Sequence, residues 1–329
     1  MIGFIGPTAA RIANIVLVVV GVGLSSVATA APVTLRLGYG VAAEEPLWLL
    51  LAKPELGPNY GKIYTLDATR FPASDKRAQA FVADAIDLAS SSANSVIFAA
   101  AEGIPVKIIA SLSRESAKAF STTFYARAES GIKAAADLRG KTVGINGFST
   151  SGELWLRAAL KKAGLSENDV TIVPIGFSAM EQALESGKID VGMFPQPFAA
   201  LLEKDMKVTK VFDAKYGVPF DEELIVLTGK EEFLEKNAVA IRALLDDLKS
   251  TTQYYLDKPE EARKILIDSK LVRVTPDVYL KMNDYYHQPD LTVDPEALAN
   301  MQQFQMNAGF QKKSVDVKAL VAPAYLSKP

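Results

Sequence analysis

The strongest constraint on the fold is an internal match. Residues 80–89 (AFVADAIDLA) align without gaps to residues 183–192 (ALESGKIDVG). Both segments read Ala, large apolar, four spacers, Ile-Asp, large apolar, small. Each is predicted to be a helix end, a tight turn and a buried strand. The 103-residue offset is far longer than the roughly 20–50 residues of a solenoid repeat. The match therefore predicts two similar α/β lobes.

The flanking sequence agrees. Strands are predicted at 33–40, 63–68, 85–89 and 106–112, with helices at 46–52, 75–82 and 93–101 between them. Strands alternating with helices indicate parallel α/β sheets. The pattern repeats with strands at 142–145, 170–174 and 189–194 and helices at 150–163 and 179–185. Thr150 and Glu153 have capping-box spacing, and Gly164 follows the last turn of that helix as a C-cap. After a strand at 223–228 the chain turns helical, at 238–256, 259–267, 276–286 and 295–308. Pro259, Pro276 and Pro295 stand where a first helical turn tolerates proline. The pairs Tyr254-Tyr255 and Tyr285-Tyr286 read as packing residues.

The N-terminal segment reads as an address. Residues 12–24 (IANIVLVVVGVGL) are apolar except for Asn14 and follow the single positive charge of Arg11. Thirteen residues rise about 20 Å as a helix, short of a hydrocarbon core of about 30 Å. Ala28-Thr29-Ala30 then fits a signal-peptide cleavage pattern. Residues 1–30 are expected to be removed on export to a periplasm. The chain has no cysteine, so it carries no disulfide and no lipid on an N-terminal Cys.

Several function classes lack their motifs. With 36 basic against 38 acidic residues, the chain lacks the excess positive charge of a nucleic-acid binder. Its one histidine, His287, is predicted to have a surface or capping role and rules out a His-rich metal centre. No G-x-S-x-G elbow, Walker loop, H-E-x-x-H or G-x-G-x-x-G motif is present. Neither a cofactor nor a metal site is expected.

What remains is a set of loops at strand ends, where parallel sheets bind ligands. They hold Gly40, Trp48, Arg70, Ser91, Ser92, Asn94, Arg114, Asn146, Phe194 and Gln196. Phe148, Ser149, Thr150 and Ser151 open a helix whose free N–H groups favour an anion.

These residues resemble the periplasmic solute-binding proteins of ABC importers. The branch is that of sulfonate, taurine, nitrate and thiamine-pyrimidine-precursor binders (NMT1-like). The resemblance rests on Phe71-Pro72-Ala73-Ser74, residues 80–92, the ADLRGKTVG run at 136–144, residues 160–170 and residues 183–198. It implies a type II periplasmic binding fold: two α/β lobes, two joining hinge strands at 122–127 and 223–228, and a helical C-terminal tail. Lobe 1 would comprise residues 31–121 and 225–329, and lobe 2 residues 122–224. The loops matching Phe71 to Ser74 and 91–95, and the helix start at 148–151, would line a cleft that closes on one small molecule. The family's acidic-Pro pair falls on Gln196-Pro197, which removes a negative charge from that cleft. Trp48, Phe71, Phe148, Phe194 and Phe198 would give it aromatic walls, and Arg70 with Arg114 could clamp a carboxylate or sulfonate. The resemblance thus implies a monomer that captures an organic anion and delivers it to a membrane permease with its ATPase. The alternatives are a pyrimidine-precursor binder or synthase-like enzyme, and a sensing domain for a membrane receptor.

Overall fold

The computed structural model describes residues 1–3, 31–71 and 74–326. The apolar stretch at 12–24, the expected cleavage site, the Pro72-Ala73 step and the side chain of Ser74 lie outside the described residues. From Pro32 onward the chain forms one compact unit.

Among the described residues, ten strands build two five-stranded sheets. In chain order they are β1 (Val33–Tyr39), β2 (Tyr64–Arg70), β3 (Leu88–Ser92), β4 (Lys107–Glu115), β5 (Thr123–Arg127), β6 (Thr142–Ile145), β7 (Thr171–Pro174), β8 (Val191–Phe194), β9 (Val208–Asp213) and β10 (Glu222–Gly229). The first sheet has the order β2-β1-β3-β10-β4 and the second β7-β6-β8-β5-β9. In each, three parallel strands are followed by one antiparallel strand. The fourth strand of each sheet is the one that arrives after the chain has left the other sheet. The strands expected to form the hinge, at 122–127 and 223–228, are these sheet members. The crossings are the segments just before them, 116–122 and 214–221.

The internal repeat is visible atom by atom. Helix α2 (Ser74–Val82) leads to β3, and the helix at Phe177–Glu185 leads to β8. The aligned residues Asp84 and Gly187 both take left-handed backbone, with φ of 56° and 73°. Ile86 and Ile189 are buried. The aligned aspartates do the same work. Asp87 Oδ2 accepts from Arg36 N at 3.1 Å and Asp190 Oδ2 accepts from Thr142 N at 2.8 Å. In return, Asp87 N donates to Arg36 O and Asp190 N to Thr142 O, both at 2.8 Å. Each Ile-Asp pair thus puts one side chain in the core and clips its turn to the neighbouring strand.

Each sheet carries its own core. Helix α1 (Glu45–Ala52) is apolar nearly all round, so it is buried: Leu47, Trp48, Leu49 and Leu50 pack with Leu35, Leu37 and the helix Ala238–Asp257. In the second lobe Trp155 and Leu156 pack with Val143, Ile145 and Phe124, whose ring stacks on Phe212 at 4.3 Å. The expected helices at 93–101, 150–163 and 238–256 form as Ala93–Ala101, Ser151–Lys162 and Ala238–Asp257. Two local expectations fail. The helix predicted over 276–286 stops at Tyr279, because the following backbone is drawn to the first sheet and to the crossing after it: Arg114 N donates to Tyr286 O at 2.9 Å and Phe120 N to Asp284 O at 2.7 Å. Tertiary pairing overrides local propensity there. The Thr150–Glu153 capping box is also absent: Thr150 Oγ1 donates to Gly147 O at 2.8 Å, and Glu153 Oε2 accepts from Ser149 N.

Asp190→Ala should cost about 1–3 kcal/mol, the usual loss for a hydrogen bond to a charged group. Urea unfolding of the variant measures it; a loss under about 0.5 kcal/mol would mean that the clip does not hold the turn.

Candidate functional site

The carboxyl ends of the parallel strands in both sheets meet at one cavity. Its open space, counted out into the solvent at its mouth, is about 630 Å³. β1 delivers Gly40 and the loop 41–44, β2 delivers Phe71, and β3 delivers Ser92. From the second sheet come Asn146 after β6, Met193 and Pro195 at the end of β8, and Ser151, Gly152 and Trp155 from helix Ser151–Lys162. Thr122, Leu224 and Ile225 close it beside the crossings, and Phe177 and Tyr285 complete the wall.

The two sides are hydrogen-bonded to one another. Ser92 Oγ lies 2.7 Å from Ser151 Oγ, and Asn94 Nδ2 donates to that same oxygen at 2.9 Å. Ser95 Oγ donates to Ser149 O at 2.7 Å. These contacts put the first turn of a twelve-residue helix against the end of β3.

The charge in the cavity wall is an ion pair. Arg77 Nη1 lies 3.8 Å from Glu44 Oε1, and both side chains are almost wholly buried. Glu44 Oε2 accepts from Gly40 N at 2.9 Å, while Arg77 Nε has no hydrogen-bond partner among the described residues. Burial pushes the Glu44 carboxyl up and the Arg77 guanidinium down, each partly offset by its partner. A Cβ at Gly40 would stand 2.5 Å from Glu44 Oε1 and 2.6 Å from Arg77 Nη1, so both side-chain ends would have to shift.

A second network holds the crossings. Glu115 ends β4 and accepts from Thr122 N at 3.0 Å and from Thr122 Oγ1. Thr122 Oγ1 lies 2.8 Å from Tyr285 OH, which accepts from Gln196 N at 3.4 Å. Burial pushes the Glu115 carboxyl up to about 7, against the pull of Thr122 and Lys215.

The structure gathers some expected site residues and parts others. Gly40, Phe71, Ser92, Asn146 and Ser151 line the cavity. Asn94, Thr150 and Gln196 stand behind it. Asn94 holds Ser151 and Glu222, Thr150 fastens the 146–147 turn, and Gln196 Oε1 accepts from Ala200 N. Ser149 meets Ser95 through its carbonyl. Ser91 faces a different hollow, beside Phe81 and Val96.

The structure does not bring Arg70 and Arg114 together in this cavity. Arg114 pairs with Glu223 at 2.9 Å and donates to Thr292 O at 2.7 Å, so its charge is committed within the protein. Arg70 is exposed and lines a separate depression with Trp48 and Phe198. Of the expected aromatic walls, Phe71 lines the cavity, whereas Phe148 is half exposed and absent from the lining, and Phe194 is buried edge-on against Tyr125. His287, expected at the surface or at a cap, is buried and does not line the cavity.

The family model described as NMT1/THI5 like matches residues 69–262, more than half of the chain. The chain belongs to the NMT1/THI5-like family. A Haemophilus influenzae protein named for thiamine biosynthesis is 30% identical over 250 residues, covering 74% of this chain and 75% of that protein. An Escherichia coli K12 protein named for binding aliphatic sulfonates is 26% identical over 308 residues, covering 90% of this chain and 91% of that protein. Among solved structures, the alkanesulfonate-binding protein from Xanthomonas axonopodis pv. citri, bound to MOPS, superposes with a TM-score of 0.74 at 18% identity, covering 89% of this chain and 99% of that one. That likeness shows the shared two-lobed fold.

In this NMT1/THI5-like chain, sequence reasoning missed Glu44, Arg77, Trp155, Phe177 and Tyr285. One signal was available: Trp155 stands four residues after Ser151, one turn along the same helix face. Tyr285 gave none, because it follows a helix that ends early.

Glu115 supplies a pH test. Its folded-state pKa lies above the ordinary 4.5, so the folded protein keeps a proton that the unfolded chain releases. Its contribution to stability therefore falls as pH rises from about 4.5 to about 7. Glu115→Gln should remove up to about 1.4 kcal/mol per pH unit from the stability slope in that window. Urea unfolding at several pH values measures it; an unchanged slope would place an ordinary carboxylate at the crossing.

Proposed function

We propose that this protein is the solute-binding component of an ABC importer. In this reading it is exported by residues 1–30 and works as a monomer in the periplasm. Two lobes, residues 31–121 with 225–329 and residues 122–224, close on one small organic anion and present it to a membrane permease with its ATPase. The cavity carries the proposal: it is formed from strand ends of both sheets, mostly apolar, with the Arg77 guanidinium as its buried positive group. An apolar or aromatic body would lie against Trp155, Phe177, Met193 and Tyr285. Its carboxylate or sulfonate would meet Arg77, Ser92 and the N–H groups opening helix Ser151–Lys162, where the helix dipole favours negative charge. The names of the Escherichia coli and Xanthomonas relatives, both sulfonate binders, support an anion.

Glu44 favours a second ligand class. A carboxyl beside a guanidinium offers an acceptor next to a donor, which suits the edge of a pyrimidine, and the Haemophilus relative is named for thiamine biosynthesis. Catalysis has less support, because His287 is not placed to act as a base in this cavity.

Calorimetric titration with alkanesulfonates, aromatic carboxylates and pyrimidines separates the readings. One class should bind at a 1:1 ratio. For an anion, Arg77→Gln should weaken binding at least about tenfold, roughly 1.4 kcal/mol, while Arg114→Ala leaves it unchanged. For a pyrimidine, Glu44→Gln should cost as much as Arg77→Gln. Full affinity in Arg77→Gln would overturn both readings, and turnover of a bound pyrimidine would replace the transport reading with an enzymatic one.

A further inference from the structure

Behind the cavity wall a second cluster of polar side chains converges where the cavity chemistry makes no use of it. Glu45 opens helix α1, one residue after Glu44. Asp284 and His287 flank the wall residue Tyr285 in the segment that runs along β4. His287 Nε2 lies 3.8 Å from Glu45 Oε2 and 3.8 Å from Asp284 Oδ1. All three side chains are buried or nearly so. Among the described residues, both Glu45 oxygens, His287 Nε2 and the neighbouring Tyr279 OH have no hydrogen-bond partner. Leaving a fully buried carboxylate unpaired is costly. A single cation bound among them would satisfy these lone pairs at once.

We propose that Glu45, Asp284 and His287 bind a divalent transition-metal ion. One ligand atom from each lies within 4.8 Å of the others. With two edges of 3.8 Å and a third of at most 4.8 Å, a point equidistant from the three atoms is no more than about 2.5 Å from each. A contraction of a few tenths of an ångström reaches the ~2.0–2.2 Å of zinc–nitrogen and zinc–oxygen bonds. One imidazole with two carboxylates suits Zn²⁺, Co²⁺, Fe²⁺ or Mn²⁺ better than Ca²⁺, which takes six to eight oxygens.

The surroundings orient two of the three ligands. His287 Nδ1 lies 2.8 Å from Leu112 O. A carbonyl only accepts, so Nδ1 carries a proton, and the ring in its neutral form would present the Nε2 lone pair to the cluster. Such a carbonyl partner is the usual support of a metal-bound histidine. Asp284 is held through its other oxygen: Arg263 Nη2 donates to Oδ2 at 3.1 Å and Tyr255 OH donates to the same atom. Oδ1, which also accepts from Tyr285 N at 2.7 Å, faces His287. Arg263 is itself committed to the carbonyls of Tyr279, Leu280 and Met282 at 3.0–3.2 Å. An ion here would tie the start of α1, next to Glu44, to the residues on either side of Tyr285. It would thereby stiffen two parts of the cavity wall.

The test uses the purified protein, stripped with a chelator and dialysed, then titrated with Zn²⁺ and Co²⁺. The expected result is one ion per chain, a visible Co²⁺ absorption band of nitrogen–oxygen coordination, and a rise of several degrees in Tm that the chelator reverses. Glu45→Gln and His287→Gln should each weaken Zn²⁺ binding by about 100-fold or more, beyond the ~10–100-fold of a lost supporting contact. Because a buried variant can fail to fold, the wild-type stoichiometry and the reversible Tm shift stand as a separate criterion. Three results would overturn the site: no saturable 1:1 binding by the wild type, binding unchanged in both folded variants, or a metal-free His287 protonated on both nitrogens at neutral pH. The last, read by NMR of the ring, would make the cluster an imidazolium held between two carboxylates.

Discussion

Each sheet is completed by a strand that reaches it from the other. β5 enters the second sheet directly after the chain leaves β4, and β10 enters the first after the chain leaves β9. Both run antiparallel to their neighbours, so the two crossings emerge at the same end of the molecule as the carboxyl ends of the parallel strands. This one topological condition places the loops after β1, β2, β3, β6 and β8 around a common space. The cavity is therefore a consequence of the connectivity, and ligand chemistry is set by a few side chains grafted onto it.

The crossings run beside a seam of buried carboxylates. Glu115 and Glu222 are cross-strand partners at the ends of β4 and β10, with Glu223 beside them. Each is answered by donors. Glu115 has Thr122, and Glu222 has Asn94, Trp155 Nε1 and Lys215. Glu223 has Ser111, Arg114 and the Asp294 N–H. Buried carboxylates are tolerated when fully hydrogen-bonded and are destabilising when a partner is removed. Because Asn94 and Trp155 serve both this seam and the cavity region, the joint between the lobes and the binding site share one hydrogen-bond network.

Much of this was legible in the sequence, and what escaped has physical reasons. The Ile-Asp repeat announced two similar lobes because its two demands, a buried Ile and a carboxylate for a strand N–H, are local. Loops at strand ends were found for the same reason: their position follows from strand–helix alternation. Arg70 and Arg114 sit apart because a charged residue near a cleft can be satisfied by the protein itself, and Glu223 lies 109 positions from Arg114. Arg77 was passed over because its helix reads as polar, with nothing local to show that Glu44 would draw it inward. His287 reads as a loop residue until the folded chain brings Glu45 to it from 242 positions away.

The central claim is that a solute occupies the cavity between the sheets, against Trp155. The chain has two tryptophans, and only Trp155 lines that cavity. The most direct measurement is therefore the fluorescence of the Trp48→Phe variant during titration with alkanesulfonates, aromatic carboxylates and pyrimidines. The account predicts a saturable change in Trp155 emission with one ligand class, absent from the Trp155→Phe variant. Ligand binding that leaves Trp155 emission unaltered would contradict it, because the solute would then occupy some other part of the molecule.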